Sequence, residues 1–180
     1  MLDEFNPSVS LAISYPLRHE SVDLGNKIKP SKVDHAPDVY IHPDITRSLN
    51  TTYTLVLSDP DALSRDNPVK AQMCHWIITN ITLSHSSTHA EDIVHLFSLT
   101  VHETTSRKGR IVELMSYFPP SPPAKTGYHR YVFALLASRG DARPAKQPKA
   151  PKSRPHWGYG KIGAGIREWA EENELAVLGE

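Results

Sequence analysis

Cysteine is nearly missing: Cys74 stands alone in 180 residues, which excludes an internal disulfide framework and any multi-cysteine zinc site. Glycine is scarce as well, at 9 residues. The one glycine cluster, GKIGAG (160–165), has neither the strand-to-helix setting nor the Lys-Ser/Thr ending of a phosphate loop. Excess charge of either sign is absent, since 20 basic residues balance 20 acidic ones. A duplex-DNA binder or a polybasic membrane protein sits well on the positive side, so nucleic acid is not an expected partner. No run approaches the roughly 18 apolar residues of a membrane span, so integral membrane association is not expected either. Asp3 and Glu4 stand where a secretory signal would be basic, and the expected compartment is the cytoplasm. Without an export signal, Asn50-Thr51-Thr52 and Asn80-Ile81-Thr82 are read as unmodified despite matching the glycosylation pattern.

What the chain does have is proline, histidine and short apolar runs. Its length and its 39% hydrophobic residues fit one domain over residues 1–180 with a sizeable core. The 15 prolines point to many loops and strand edges and few long helices. Val9–Tyr15 alternates apolar and polar residues, as a half-buried strand does. Thr52–Ser58, His75–Ile81, Val94–Val101 and His129–Ala137 are rich in β-branched and aromatic residues. Their fuller apolar runs predict central strands covered on both faces. Arg110–Tyr117 is compatible with strand or helix. One helix is expected within about Gly163–Glu174. There Ile166, Trp169 and Ala170 share a face, Arg167, Glu168, Glu171 and Glu172 turn to water, and the like-charged Glu168 and Glu172 weaken it slightly. The expected fold class is mainly β (α+β).

Most candidate chemistry can be set aside. Cys74 and His75 are neighbours on a strand, where adjacent side chains point to opposite faces, so they cannot pair as thiolate and imidazole unless a bulge intervenes. No G-x-S-x-G elbow exists. His85 and His89 have a spacing that suits a metal on a helix, but they sit in a serine-rich loop without other ligands. No metal and no cofactor is expected. The segment Asp141–Pro155 carries five basic residues after its single acid and reads as an exposed, extended excursion. It offers a surface to an acidic partner or to lipid headgroups, although solvation alone accounts for its charges.

Four polar residues remain. His129 and Tyr131 are two apart, so in a strand they share a face while Arg130 takes the other. Asp59 ends one apolar strand, and His75 begins the next. Imidazole N–H and phenol O–H groups are donors suited to phosphate or carboxylate oxygens, with Asp59 fixing the tautomer of a neighbouring ring. Spacing alone favours the plainer account, in which each is a separately satisfied polar group.

At these same residues the sequence resembles the phosphatidylethanolamine-binding protein family, in a fungal-type form. YTLVLSDPDALSR (Tyr53–Arg65) is similar to its first signature, TGYHRYVFALL (Thr126–Leu136) to its second, and the C-terminal HWGYGKIGAGIREWAEENELAVLG to fungal members. The resemblance runs roughly from Tyr40 onward. It implies a large central antiparallel sheet, a second small sheet and peripheral helices, around a site for phosphate, carboxylate or a phosphorylethanolamine headgroup. The family's site positions fall on Asp59, Asp61, His75, His129 and Tyr131, with a lining loop at Ser121–Pro123 that includes Ser121 and Pro122. Implied partners are a small anionic ligand or phospholipid headgroup and a protease or kinase. The resemblance also implies an alternative, an auxiliary enzyme of fungal secondary metabolism that assists dimerisation of maleic-anhydride monomers, with His75 and His129 as its bases. Three departures stand out. Leu63 replaces the proline of the first motif, and since a cis bond costs about 0.5–1 kcal/mol before proline but roughly 2.5–4 elsewhere, a trans Ala62–Leu63 bond is expected. Ser121 replaces a glycine and should reshape the mouth of the site. Relatives commonly run on past the position of Glu180, which implies a shortened chain or a more open site.

Overall fold

A computed structural model of the protein describes residues 9–43, 51–82, 111–138 and 147–179. Among them, eight strands form: β1 (Val9–Tyr15), β2 (Glu20–Val22), β3 (Asp38–Pro43), β4 (Thr52–Asp59), β5 (Met73–Thr82), β6 (Val112–Met115), β7 (Val132–Ser138) and β8 (Leu175–Gly179). One α-helix, α1, spans Ile166–Glu172. The strands make a three-stranded sheet, β2-β1-β3, and a five-stranded sheet, β6-β5-β4-β7-β8. Every recorded pairing is antiparallel.

The large sheet is covered on both faces, which is why its central strands read as nearly continuous apolar runs. Tyr53, Leu55 and Leu57 of β4 and Leu135 of β7 pack with Val9, Ile13 and Ile41 of the small sheet. The alternate residues Val56, Ala134 and Leu136 pack instead with Trp157, Ile166 and Trp169 on the C-terminal side. Period-two alternation thus divides one apolar strand between two cores. β1 has a single buried face, with Val9, Ile13 and Tyr15 inward and Ser10 exposed.

Helix α1 falls inside its expected range and buries Ile166, Trp169 and Ala170. Its glutamates are less idle than their spacing implied. Gly165 N–H donates to Glu168 Oε2 at 2.8 Å, a capping contact, and Glu172 is hydrogen bonded to Tyr159. Gly165 itself is required by space: a Cβ there would lie 2.3 Å from Gln72 Oε1 and 2.8 Å from Gln72 Cβ. Gln72 cannot withdraw freely, because Ile166 N–H donates to its Oε1 and its own Nε2 donates to Gly163 O. Gly165→Ala should therefore cost about 1–3 kcal/mol through overpacking, measurable as a lowered denaturant midpoint. An unchanged midpoint would show that Gln72 moves aside.

Several sequence expectations need correction. β7 begins at Val132, so His129 and Tyr131 precede the ladder they were assigned to. Arg110–Tyr117 resolves into the short strand β6. β2, β3 and β8 had no sequence assignment. β2 has three residues and β8 five, too few for a periodicity to stand out. The Ala62–Leu63 bond is cis, contrary to the trans expectation. That expectation weighed an isolated peptide bond, whereas here Lys70 N–H holds the Ala62 carbonyl at 2.8 Å and Asp61 N–H is tied to Asp59. The part of the basic excursion that is described is extended, but pinned rather than free. Trp169 Nε1 donates to Lys149 O, Lys149 N–H to Asn173 Oδ1, and Arg154 to the edge of the large sheet. The expected strand Val94–Val101, the pair His85 and His89, and residues 141–146 lie outside the described residues.

Candidate anion-binding site

The site forms where β4 and β5 meet the chain entering β7. β4 is buried along its whole length and ends in a carboxylate. With nowhere to hydrate, the Asp59 side chain, 3% exposed, must find donors in the protein. Asp61 N–H turns back to its Oδ1 at 2.7 Å, and His129 Nδ1 meets its Oδ2 at 2.8 Å. The Tyr131 phenol lies close enough to Asp59 and to the Ser121 backbone N–H to feel both. Burial, and then the Asp59 charge, push the Tyr131 phenol well above its ordinary pKa.

His75 arrives by a different route. β5 pairs Trp76 with Leu57 and Cys74 with Ser58, so His75 is an extra residue with no partner position on β4. Such a bulge re-aims a side chain. Cys74 stays in the core with Trp157 and Ile77, and burial pushes its thiol up to about 12, which makes it an inert thiol. The His75 ring instead lies edge-on to Tyr131, centroids 5.1 Å apart, and 5.2 Å from Phe118. A bulge does intervene between Cys74 and His75, yet the two side chains still part.

The two histidines are engaged differently. In a neutral His129 ring the acceptor-only Asp59 carboxylate fixes the hydrogen on Nδ1, and Nε2 lies 2.9 Å from Thr126 Oγ1, which is also 2.8 Å from Pro123 O. With Nδ1 on Asp59, both His129 nitrogens are occupied. His75 Nδ1 lies 2.6 Å from Phe118 O, while its Nε2 is buried with no partner among the described residues. Burial above all pushes the His75 pKa below its ordinary value, against the Phe118 carbonyl and Asp59, which favour the charged ring.

The sequence-predicted residues therefore divide. Asp59, His75, His129 and Tyr131 are brought together, and Ser121 joins them through its backbone N–H while its side chain is exposed. Half-buried Pro122 follows it in the loop. Asp61 looks the other way. It is buried and takes Arg130 N–H, Nε and Nη2 at 2.8, 3.0 and 2.7 Å. Burial alone would raise the Asp61 pKa, but Arg130 outweighs it and the carboxyl lies below its ordinary value. Thr126, Phe118 and Arg154 were not anticipated. Thr126, three residues before His129, had a local signal; the other two reach the site only through tertiary structure. Among the described residues no cluster of His, Cys, Asp and Glu is arranged to hold a metal.

The family profile described as "PBP: Phosphatidylethanolamine-binding protein" matches residues 18–179. The chain belongs to this family. The match begins well before Tyr40, so the likeness covers more of the N-terminal region than the motifs alone carried. A carboxypeptidase Y inhibitor of Saccharomyces cerevisiae is 29% identical over 186 residues, covering 97% of this chain and 82% of that protein. Protein TERMINAL FLOWER 1 of Arabidopsis thaliana is 31% identical over 177 residues, covering 98% and 78%. Among solved structures, the carboxypeptidase Y inhibitor complexed with its cognate proteinase aligns with a TM-score of 0.76 and 27% identity, over 97% of this chain and 81% of that one. The phosphatidylethanolamine-binding protein of Plasmodium vivax aligns at 0.66 and 17% identity, over 97% and 83%, a likeness of fold. The family fold, a large antiparallel sheet with a smaller one, is the fold described above.

Proposed function

We propose that this protein captures a small anion, a phosphate, carboxylate or phosphorylethanolamine headgroup, at the Asp59–His75–His129–Tyr131 cluster, and that it regulates or inhibits a partner protease. The observation that carries the first half is the partnerless nitrogen of His75. A buried polar atom without a hydrogen bond costs about 1–3 kcal/mol, and here it lies in a cluster of ring and phenol groups beside partly exposed Phe118. A bound group that brings a hydrogen would satisfy it. Support for the second half is the 29% identity to a carboxypeptidase Y inhibitor over nearly the whole chain. Turnover is less well supported than capture: a ring whose proton affinity burial has lowered is a poor base for abstracting a proton next to a carbonyl. Among the described residues no helix is long and apolar enough to cross a membrane.

His129→Ala removes one donor while sparing the His75 bulge. Calorimetry with phosphorylethanolamine should show binding weakened by about 1.5–3 kcal/mol, the worth of a hydrogen bond to a charged group. Equal affinity in wild type and variant would take the cluster out of the binding role. A peptidase assay with carboxypeptidase Y checks the regulatory half, with loss of peptidase activity on adding the protein as the expected result.

A further inference from the structure

The tautomer of His75 limits which anions the site can accept. A carbonyl oxygen only accepts hydrogen bonds, so the 2.6 Å contact between His75 Nδ1 and Phe118 O places the hydrogen of the neutral ring on Nδ1. Nε2 then presents a lone pair, in a position with no partner among the described residues. An oxygen that carries no hydrogen would set two lone pairs against each other. The groups around the ring do little to supply a second proton. The Asp59 carboxylate, from β4, favours one, but it is engaged by His129 and Asp61 N–H, with the Tyr131 phenol beside it. His129, from the segment entering β7, opposes one, and so does Arg154, whose Nη1 donates to His75 O. Burial opposes it most. Tyr131 meets the ring edge-on, its phenol facing the Asp59 carboxylate.

We propose that the site selects anions that bring their own proton, a phosphate monoester or free phosphate in singly protonated form, over anions of similar shape that have no proton to give, sulfate and phosphodiesters. This rests on the capture reading above and narrows its ligand class. A phosphate monoester holds its second proton with a pKa of about 6, so in mildly acidic solution, at about pH 6–6.5, it supplies the P–O–H that His75 Nε2 accepts. The phosphodiester of an intact phospholipid headgroup has no such proton. The soluble monoester is therefore the ligand, and the lipid from which it could derive is not.

The test is a titration of the full chain with four probes: inorganic phosphate, sulfate, phosphorylethanolamine and glycerophosphoethanolamine. The last keeps the ammonium group and loses only the phosphate proton. At pH 6.5 phosphate should bind at least about tenfold more tightly than sulfate, the equivalent of one pKa unit of differential protonation, and phosphorylethanolamine should exceed glycerophosphoethanolamine by a similar factor. Near pH 8.5 both gaps should narrow, because the phosphates have then lost the proton that His75 Nε2 accepts. His75→Gln, whose amide presents either a donor or an acceptor, should erase the discrimination; the wild-type comparison stands if that variant fails to fold. Equal affinities across each pair at pH 6.5 would overturn this inference and leave anion capture intact. Failure of all four probes to bind would overturn both.

Discussion

Replacing Asp59 with alanine should cost about 3–5 kcal/mol of stability and abolish anion capture, the largest loss expected of any single polar substitution in the described residues. The magnitude follows from what converges on this side chain. His129 Nδ1 and Asp61 N–H both address one buried carboxylate, with the Tyr131 phenol beside it. Removing it strands two buried donors at once rather than trading one hydrogen bond for water. It also frees the His129 and Tyr131 rings, which now stand 6.4 Å apart and nearly parallel. Asp59→Asn keeps the shape but can offer only one accepting oxygen and adds an amide that must itself donate. It should fall between wild type and the alanine variant. Denaturant unfolding measures the stability, and titration with phosphorylethanolamine measures the capture. A loss below about 1 kcal/mol in the alanine variant would mean that the donors find other acceptors, and that the carboxylate is not the organising group.

The parts of this site that were legible in the sequence are those that follow from local chain geometry. Thr52–Ser58 could be read as a strand buried on both faces because its apolar residues run without a polar stripe, and the two cores do divide them. Asp59 could be read as a polar group at a strand end, since it terminates that run. The pairing of His129 with Tyr131 was found by assuming a strand that in fact starts at Val132. The conclusion survived because an extended approach to a strand keeps the same alternation, and Arg130 does turn to the other side, toward Asp61. What could not be read is whatever depends on register or on distant backbone. One extra residue in β5 decides where His75 points, and no residue type marks a bulge at that position. The tautomer of the same ring is set by a carbonyl 43 residues away. Lys149 and Lys152 of the basic excursion leave their side chains exposed, as a solvated run does; Arg154 in the same run looks identical and is structural.

Arg154 supports the second large effect. Its Nη1 donates to Cys74 O at 3.1 Å and His75 O at 3.2 Å, its Nη2 to Ser116 O at 2.9 Å and Ser116 Oγ at 3.1 Å, and the guanidinium lies 5.2 Å from the Phe118 ring. One side chain thus fastens the C-terminal excursion to β5 at its bulge and to the loop after β6. Phe118, whose ring lies 5.2 Å from that of His75 and whose carbonyl fixes its tautomer, is held between them. Arg154→Ala should lower stability by about 1.5–3 kcal/mol, since it takes the charged donor from the part-buried Cys74 and His75 carbonyls. Arg154→Lys should recover little, because an ammonium on a flexible stem cannot span the fork that reaches both chains. A purely structural staple would shift only the unfolding midpoint. If Arg154 also positions His75, phosphate affinity at pH 7.5 should fall more than tenfold in the lysine variant under conditions where it is fully folded. In NMR of isotope-labelled histidine, the Nδ1–H to Phe118 hydrogen bond of His75 should weaken in step. Unchanged ring-nitrogen shifts together with unchanged phosphate affinity would restrict Arg154 to holding the excursion in place.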